Sequence, residues 1–155
     1  MRTFPKSLFV LAMAAGVIWA GGLRLEVGNP SANPEAVAKH AVLVVRTTAC
    51  QSPEKTTVTA TAEGLVDGNR RTVPLSVIPL GTPGTFAVVR EWPAGGRWAV
   101  KMIATNPDYK NYATGVVVLT EKDAFDWAGV KHFYHAPTDA EVNAVLGREA
   151  VALAR

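Results

Sequence analysis

The apolar residues between Ala41 and Thr120 come in short stretches, each closed by turn-forming residues, and that spacing limits the fold more than any other feature. Ala41-Val42-Leu43-Val44-Val45 is a continuous, largely β-branched run, as expected of a buried strand. Gln51-Ser52-Pro53-Glu54-Lys55 interrupts it. From Thr56 to Ala62 the pattern alternates, with Val58, Ala60 and Ala62 on one face and threonines on the other. Asp67-Gly68-Asn69 is a hairpin signal, because these residues tolerate positive φ. Thr72 to Ile78 alternates again with Val73, Leu75 and Val77 inward, while Pro74 cannot donate to a ladder and calls for an edge or a bulge. Gly81-Thr82-Pro83-Gly84 and Pro93-Ala94-Gly95-Gly96 bracket the Phe86/Val88 stretch. Trp98, Val100 and Met102 then share one face, and Gly115 to Leu119 closes the series. About seven short strands at regular spacing, with no helix-length periodic segment among them, predict an antiparallel β-sandwich and disfavour a parallel α/β sheet.

The flanks differ. Residues 23–40 hold two Asn-Pro steps with Gly and Ser nearby, and read as an irregular lead-in to a sandwich spanning 41–120. Residues 121–155 read as a helical extension. Thr120 to Asp123 resembles a helix start for a short turn ended by Gly129. Thr138 and Glu141 form a capping box before Val142, Val145, Leu146, Ala150 and Leu153, which recur at helical spacing over 139–154.

The first 22 residues carry a different message. Arg2 and Lys6 precede Leu8–Ala20, an uncharged apolar run of 13 residues, and Ala20-Gly21-Gly22 supplies the small residues that a signal peptidase accommodates. The run is short of the ~20 residues of a spanning helix. Cleavage after Gly22, or after Ala20, is therefore expected over a retained anchor, with export to the periplasm or beyond and no stable membrane span afterwards. The full chain has 16 basic and 13 acidic residues, or +3; losing Arg2 and Lys6 leaves 14 against 13, or +1. Nucleic acid calls for a clustered basic face, and the mature remainder offers only the Arg70-Arg71 doublet beside a turn. Cys50, the single cysteine, has no intrachain partner, so stability must come from packing.

The densest pattern of the mature chain is Phe86-x-Val88-x-x-x-Trp92-Pro93-x-Gly95-Gly96-x-Trp98-x-Val100, read as two antiparallel strands joined by a Pro/Gly turn. Through Gly84, Phe86, Pro93, Gly96, Trp98 and Val100, residues 41–120 resemble the immunoglobulin-like and transthyretin-like β-sandwich domains of exported bacterial proteins. The resemblance implies an architecture. Such folds serve adhesion, carbohydrate binding, metal delivery or spacing, so no site residue transfers with it.

Two sets of residues could carry chemistry. Trp92 and Trp98, with Tyr109 and Tyr112 in the following turn, offer aromatic faces on which a pyranose could stack. His132 and His135 could hold a soft metal such as copper if they converge with His40, Cys50 or Met102, although histidines three apart in a strand face opposite ways. No nucleophile elbow, phosphate-cradling loop or zinc-protease helix occurs, and Glu121 and Asp123 suit a helix N-terminus. The expectation is an exported, non-catalytic binding module without cofactor, whose partner is another envelope protein or a carbohydrate. A copper-binding protein and an assembly component docking through its C-terminal helix are the alternatives.

Overall fold

A computed structural model describes residues 22–48, 51–120 and 124–152, with side chains up to residue 147. The export segment up to residue 21, Cys50, Glu121 and Asp123 lie outside the described residues. Among the described residues, nine strands form two antiparallel sheets packed face to face. The first sheet contains β1 (Arg24–Gly28), β2 (Ala41–Thr48), β6 (Thr85–Val89) and β5 (Val77–Pro79), in the order β1-β2-β6-β5. The second runs β4 (Asn69–Leu75), β3 (Thr57–Val66), β7 (Arg97–Thr105), β8 (Ala113–Val118) and β9 (Lys131–Phe133). Two helices complete the fold, α1 (Pro34–Ala38) and α2 (Asp139–Ala152).

Alternation puts Leu43, Val45, Phe86 and Val88 from one sheet against Ala60, Ala62, Trp98, Val100, Met102 and Val117 from the other. That shared layer is the main core, and its burial is the principal stabilising term. Asp67 and Gly68 (φ 51° and 74°) form the two-residue loop of the β3–β4 hairpin, which pairs Val66 with Asn69. Pro74 lies on β4, an edge strand, where its missing N–H costs no ladder bond.

The outer face of the larger sheet is covered as well. Ala99, Val116 and Val118 meet Val142, Val145 and Leu146 of α2. This explains why every residue of β8 is buried: both faces of that strand are packed. The capping box forms as expected. Glu141 Oε2 accepts the Thr138 N–H at 2.8 Å, and Thr138 Oγ1 accepts the Glu141 N–H at 3.3 Å.

Four expectations need correction. Residues 23–40 are ordered: the alternation of Leu23, Leu25 and Val27 with Arg24 and Glu26 makes β1, which pairs with β2 along its whole length. The two Asn-Pro steps there start helical turns. Asn29 and Asn33 accept the N–H of Ser31 and Ala36 (2.8 and 3.1 Å), and each proline occupies a first-turn position that needs no donor. Second, the run 72–78 is two strands. The chain changes sheets at Ser76, pairing Leu75 with Ala60 and Val77 with Val88. Third, the Phe86 and Trp98 strands are not a hairpin, because β6 and β7 belong to opposite sheets. Their Pro/Gly connection crosses the end of the sandwich, with Gly95 and Gly96 at φ near 80°. Fourth, the tail is not purely helical, since β9 adds an edge strand to β8.

Candidate functional site

The two sheets differ in width by one strand, and the difference falls at one side of the sandwich. Leu25 and Val27 of β1 lie directly over Gly115 of β8, where an added Cβ would come within 2.9 Å of Leu25 Cδ2 and 3.2 Å of Val27 Cγ2. Only glycine lets the strands approach this closely. Because β1 sits over β8, the next strand, β9, extends past the margin of the first sheet, and among the described residues no strand faces it. The space beside β1 and over β9 is a cleft of about 440 Å³. Its walls come from Leu23, Arg24, Leu25, Glu26 and Thr48 on the first sheet's side. Ala113, Thr114, His132, Phe133 and Tyr134 close it from the other.

Strand parity explains this mixture. Gly115 faces the core and pairs with His132, so His132 is on the inner side of β9, towards the cleft. Thr114 and Phe133 pair with each other on the opposite side; Phe133 packs against the α2 cluster, and Thr114 Oγ1 donates to the His135 carbonyl at 3.0 Å. On β1, Arg24 and Glu26 alternate with the buried Leu23 and Leu25. Glu26 Oε2 accepts from Arg46 Nε and NH2 across the strand pair (3.1 and 2.8 Å). Arg24 has no ion-pair partner among the described residues. Tyr134, 71 % exposed, stands at the rim.

The candidates named from sequence are scattered by the fold. Trp98 (2 % exposed) and Trp92 (4 %) are core residues, so neither presents a face on which a sugar could stack. Trp98 Nε1 donates to the Gly95 carbonyl at 2.7 Å, and its ring is flush against Gly64. Trp92 meets Phe125 edge-on at 6.3 Å and carries the Arg90 guanidinium 5.1 Å above its ring. Tyr109 packs partly against the core and accepts the Gln51 N–H through its hydroxyl. Tyr112 is 45 % exposed, one residue before β8, and is the one candidate of that set with an accessible ring.

His132 and His135 do not converge. His132 lies in the cleft, whereas His135, beyond the end of β9, meets Glu141 through Nε2 at 3.0 Å and Phe133 edge-on. Met102 is buried in the main core, and His40 holds the left-handed turn after α1. Among the described residues no three His, Cys, Asp or Glu side chains group as metal ligands. The strand ends at Phe133, so the pair separates because only His132 is on β9, while the bend after it carries His135 to Glu141 at the start of α2.

A second polar cluster lies under α2. Glu63, 1 % exposed, is on the outer face of β3. Its Oε1 accepts from Lys101 Nζ (2.8 Å) and Thr61 Oγ1 (2.8 Å), and its Oε2 from Arg70 NH2 (2.9 Å) and Thr72 Oγ1 (2.7 Å). Burial alone would push this carboxyl up. The four donors, Lys101 foremost, outweigh it and bring the pKa down to about 2. Arg70 continues the network into α2 by donating to Asn143 Oδ1, with Asp139 3.8 Å away. Every acceptor site of the carboxylate is filled from within the chain, which marks the cluster as a fastener between sheet and helix.

Arg24, Glu26, Thr48 and Tyr134 escaped the sequence reading. The five-residue alternation Leu23 to Val27 was the available signal for β1. Nothing in sequence indicates that β9 projects one strand beyond it, since that depends on long-range register. Comparison with protein-family models, with curated proteins and with solved structures finds no match to this chain.

Proposed function

We propose that this protein is an exported, non-catalytic interaction module of the bacterial envelope that binds an extended segment of another envelope protein in the cleft between β1 and β9. The observation that carries the reading is the state of the four sheet edges. Unpaired edges are templates for other chains, and proteins blunt them with prolines or by keeping them short. Of the edges here, β4 contains Pro74, β5 is three residues ending in Pro79, and β9 is three residues. β1 has five residues, no proline, and open space alongside. A strand added there gains main-chain hydrogen bonds from β1, while its alternate side chains rest over β9, the arrangement of peptide recognition by strand addition. Export to the envelope is supported by the order of charged, apolar and small residues in the first 22 positions.

The test is selection of binders from a phage-displayed library of random twelve-residue peptides, followed by amide hydrogen exchange of the protein with a selected peptide. Slowed exchange confined to residues 23–28 and 131–134 is the expected result. Selection of no binder, or a footprint on other elements, refutes the reading.

A further inference from the structure

Resting on that reading, we infer that the occupant of the cleft is a single extended strand carrying an acidic side chain at the position beside Arg24. Both halves of this statement follow from the cleft. Strands in a sheet lie about 4.8 Å apart, so the overhang of β9 past β1 leaves room for one strand of the first sheet. A second copy of the chain joined β1 to β1 is excluded by the same overhang. Each copy would bring its own β9 beneath the junction. The two β8 strands would then need three spacings, about 14 Å, where the β1–β1 contact allows roughly one. The guest is therefore a lone segment.

Its charge preference follows from how the cleft's own charges are used. Arg24 and Glu26 share the outer side of β1 and are the wall's only strong charges of opposite sign. Glu26 is already neutralised by two contacts from Arg46, whereas Arg24 is uncommitted and stands opposite the neutral Thr48. His132 faces the same space and in either protonation state can donate a hydrogen bond, as can the Tyr134 hydroxyl at the rim. Among the described residues no carboxylate lines the cleft besides Glu26. A guest side chain lying next to Arg24 on the outer face thus meets an unpaired guanidinium. A carboxylate there forms a charge-assisted, two-point contact, and a lysine is repelled.

The selected peptides report on this directly. Peptides recovered on the unaltered protein should be enriched in one Asp or Glu, and replacing that residue by Lys should weaken binding by at least about tenfold, the scale of one charge-assisted contact. Selection repeated on Arg24→Glu should recover peptides with Lys or Arg at the same position, while Arg71→Glu, an equal change of net charge on β4, should leave the original preference intact. Binders that footprint on β1 but show no acid preference, or that survive Arg24→Glu unchanged, overturn this inference and leave the strand-addition reading standing. Absence of any binder at β1 overturns both. A dimer in solution that dissociates on Leu25→Pro would replace the foreign strand with a second copy, and would refute the single-strand argument.

Discussion

Glu63 allows a quantitative test of how the helix is held to the sheet. Its carboxyl has an ordinary value of 4.5 and is lowered to about 2 in the fold. A group depressed in this way contributes stability that is complete above its unfolded value and is lost as pH falls towards the folded one. The gap of 2.5, at about 1.4 kcal/mol per pH unit, gives about 3 kcal/mol at pH 7. At pH 3 the unfolded carboxyl is almost fully protonated and the folded one mostly ionised, so only about 1.4 kcal/mol survives. Replacing Glu63 by Gln removes the titration. The neutral amide retains one acceptor oxygen for Lys101 or Arg70, and both half-buried cations lose the carboxylate that neutralises them. The expected result is a loss of about 3 kcal/mol or more at pH 7 that shrinks by about 2 kcal/mol at pH 3. Urea unfolding followed by tryptophan fluorescence at the two pH values measures it. The comparison between wild type and variant cancels the other carboxylates. Equal losses at both pH values would refute the account, because they would mean that the folded carboxyl titrates near its ordinary value.

Two further substitutions probe the layers on either side of the larger sheet. At Gly64, whose added Cβ would lie 2.4 to 2.7 Å from three ring atoms of the buried Trp98, Gly64→Ala should cost about 2–3 kcal/mol and alter the near-ultraviolet tryptophan spectrum. An unchanged midpoint in denaturant would show that the ring has room to move. Leu146→Ala removes a fully buried α2 side chain from its contact with Ala99, Val116 and Val118, and should cost about 2–4 kcal/mol, with faster amide exchange in 139–147 than in β3 and β7. A loss under about 0.5 kcal/mol would mean that the helix adds little to the fold.

The sandwich was legible because local rules and tertiary packing agree along most of the chain. Val58 to Ala62 and Trp98 to Met102 alternate as half-buried strands must, and the Asp67-Gly68 loop forms the hairpin that its residue types demand. The errors came where one local signal admits two tertiary outcomes. An Asn-Pro step both breaks a strand and starts a helical turn, and the structure uses it in the second way at Asn29 and Asn33. A Pro/Gly turn returns a strand to its neighbour or carries the chain to the opposite sheet, and the structure uses it in the second way between β6 and β7. The aromatic candidates failed for a related reason. Trp98 shares the face of Val100 and Met102, as a stacking platform at a strand end also could, and only the facing sheet distinguishes the two. The cleft itself was beyond local inspection, since it arises from the unequal strand numbers of two sheets.

Among the described elements, most candidate docking surfaces are already occupied by the chain itself. The apolar side of α2, a natural docking surface when viewed in sequence, is occupied by its own sheet through Val142, Val145 and Leu146. The outer face of the first sheet is partly closed by α1, where Ala36 meets Ala87 and Leu80, and Glu35 accepts the Gly81 N–H at 2.8 Å. The Glu63 carboxylate takes all four of its donors from within the chain. The edges at β4 and β5 hold prolines, and the chain connects them to each other at Ser76, so that side of the sandwich is stitched by the backbone. The opposite side has no such stitch: β1 stops one strand short of β9. Leaving backbone donors and acceptors of β1 to solvent forgoes hydrogen bonds that a fifth strand of that sheet or a covering loop would supply. With the apolar side of α2 and the Glu63 carboxylate both occupied by the chain itself, this margin is where a partner has most to add, and its uncommitted arginine is where that partner's sequence would be read.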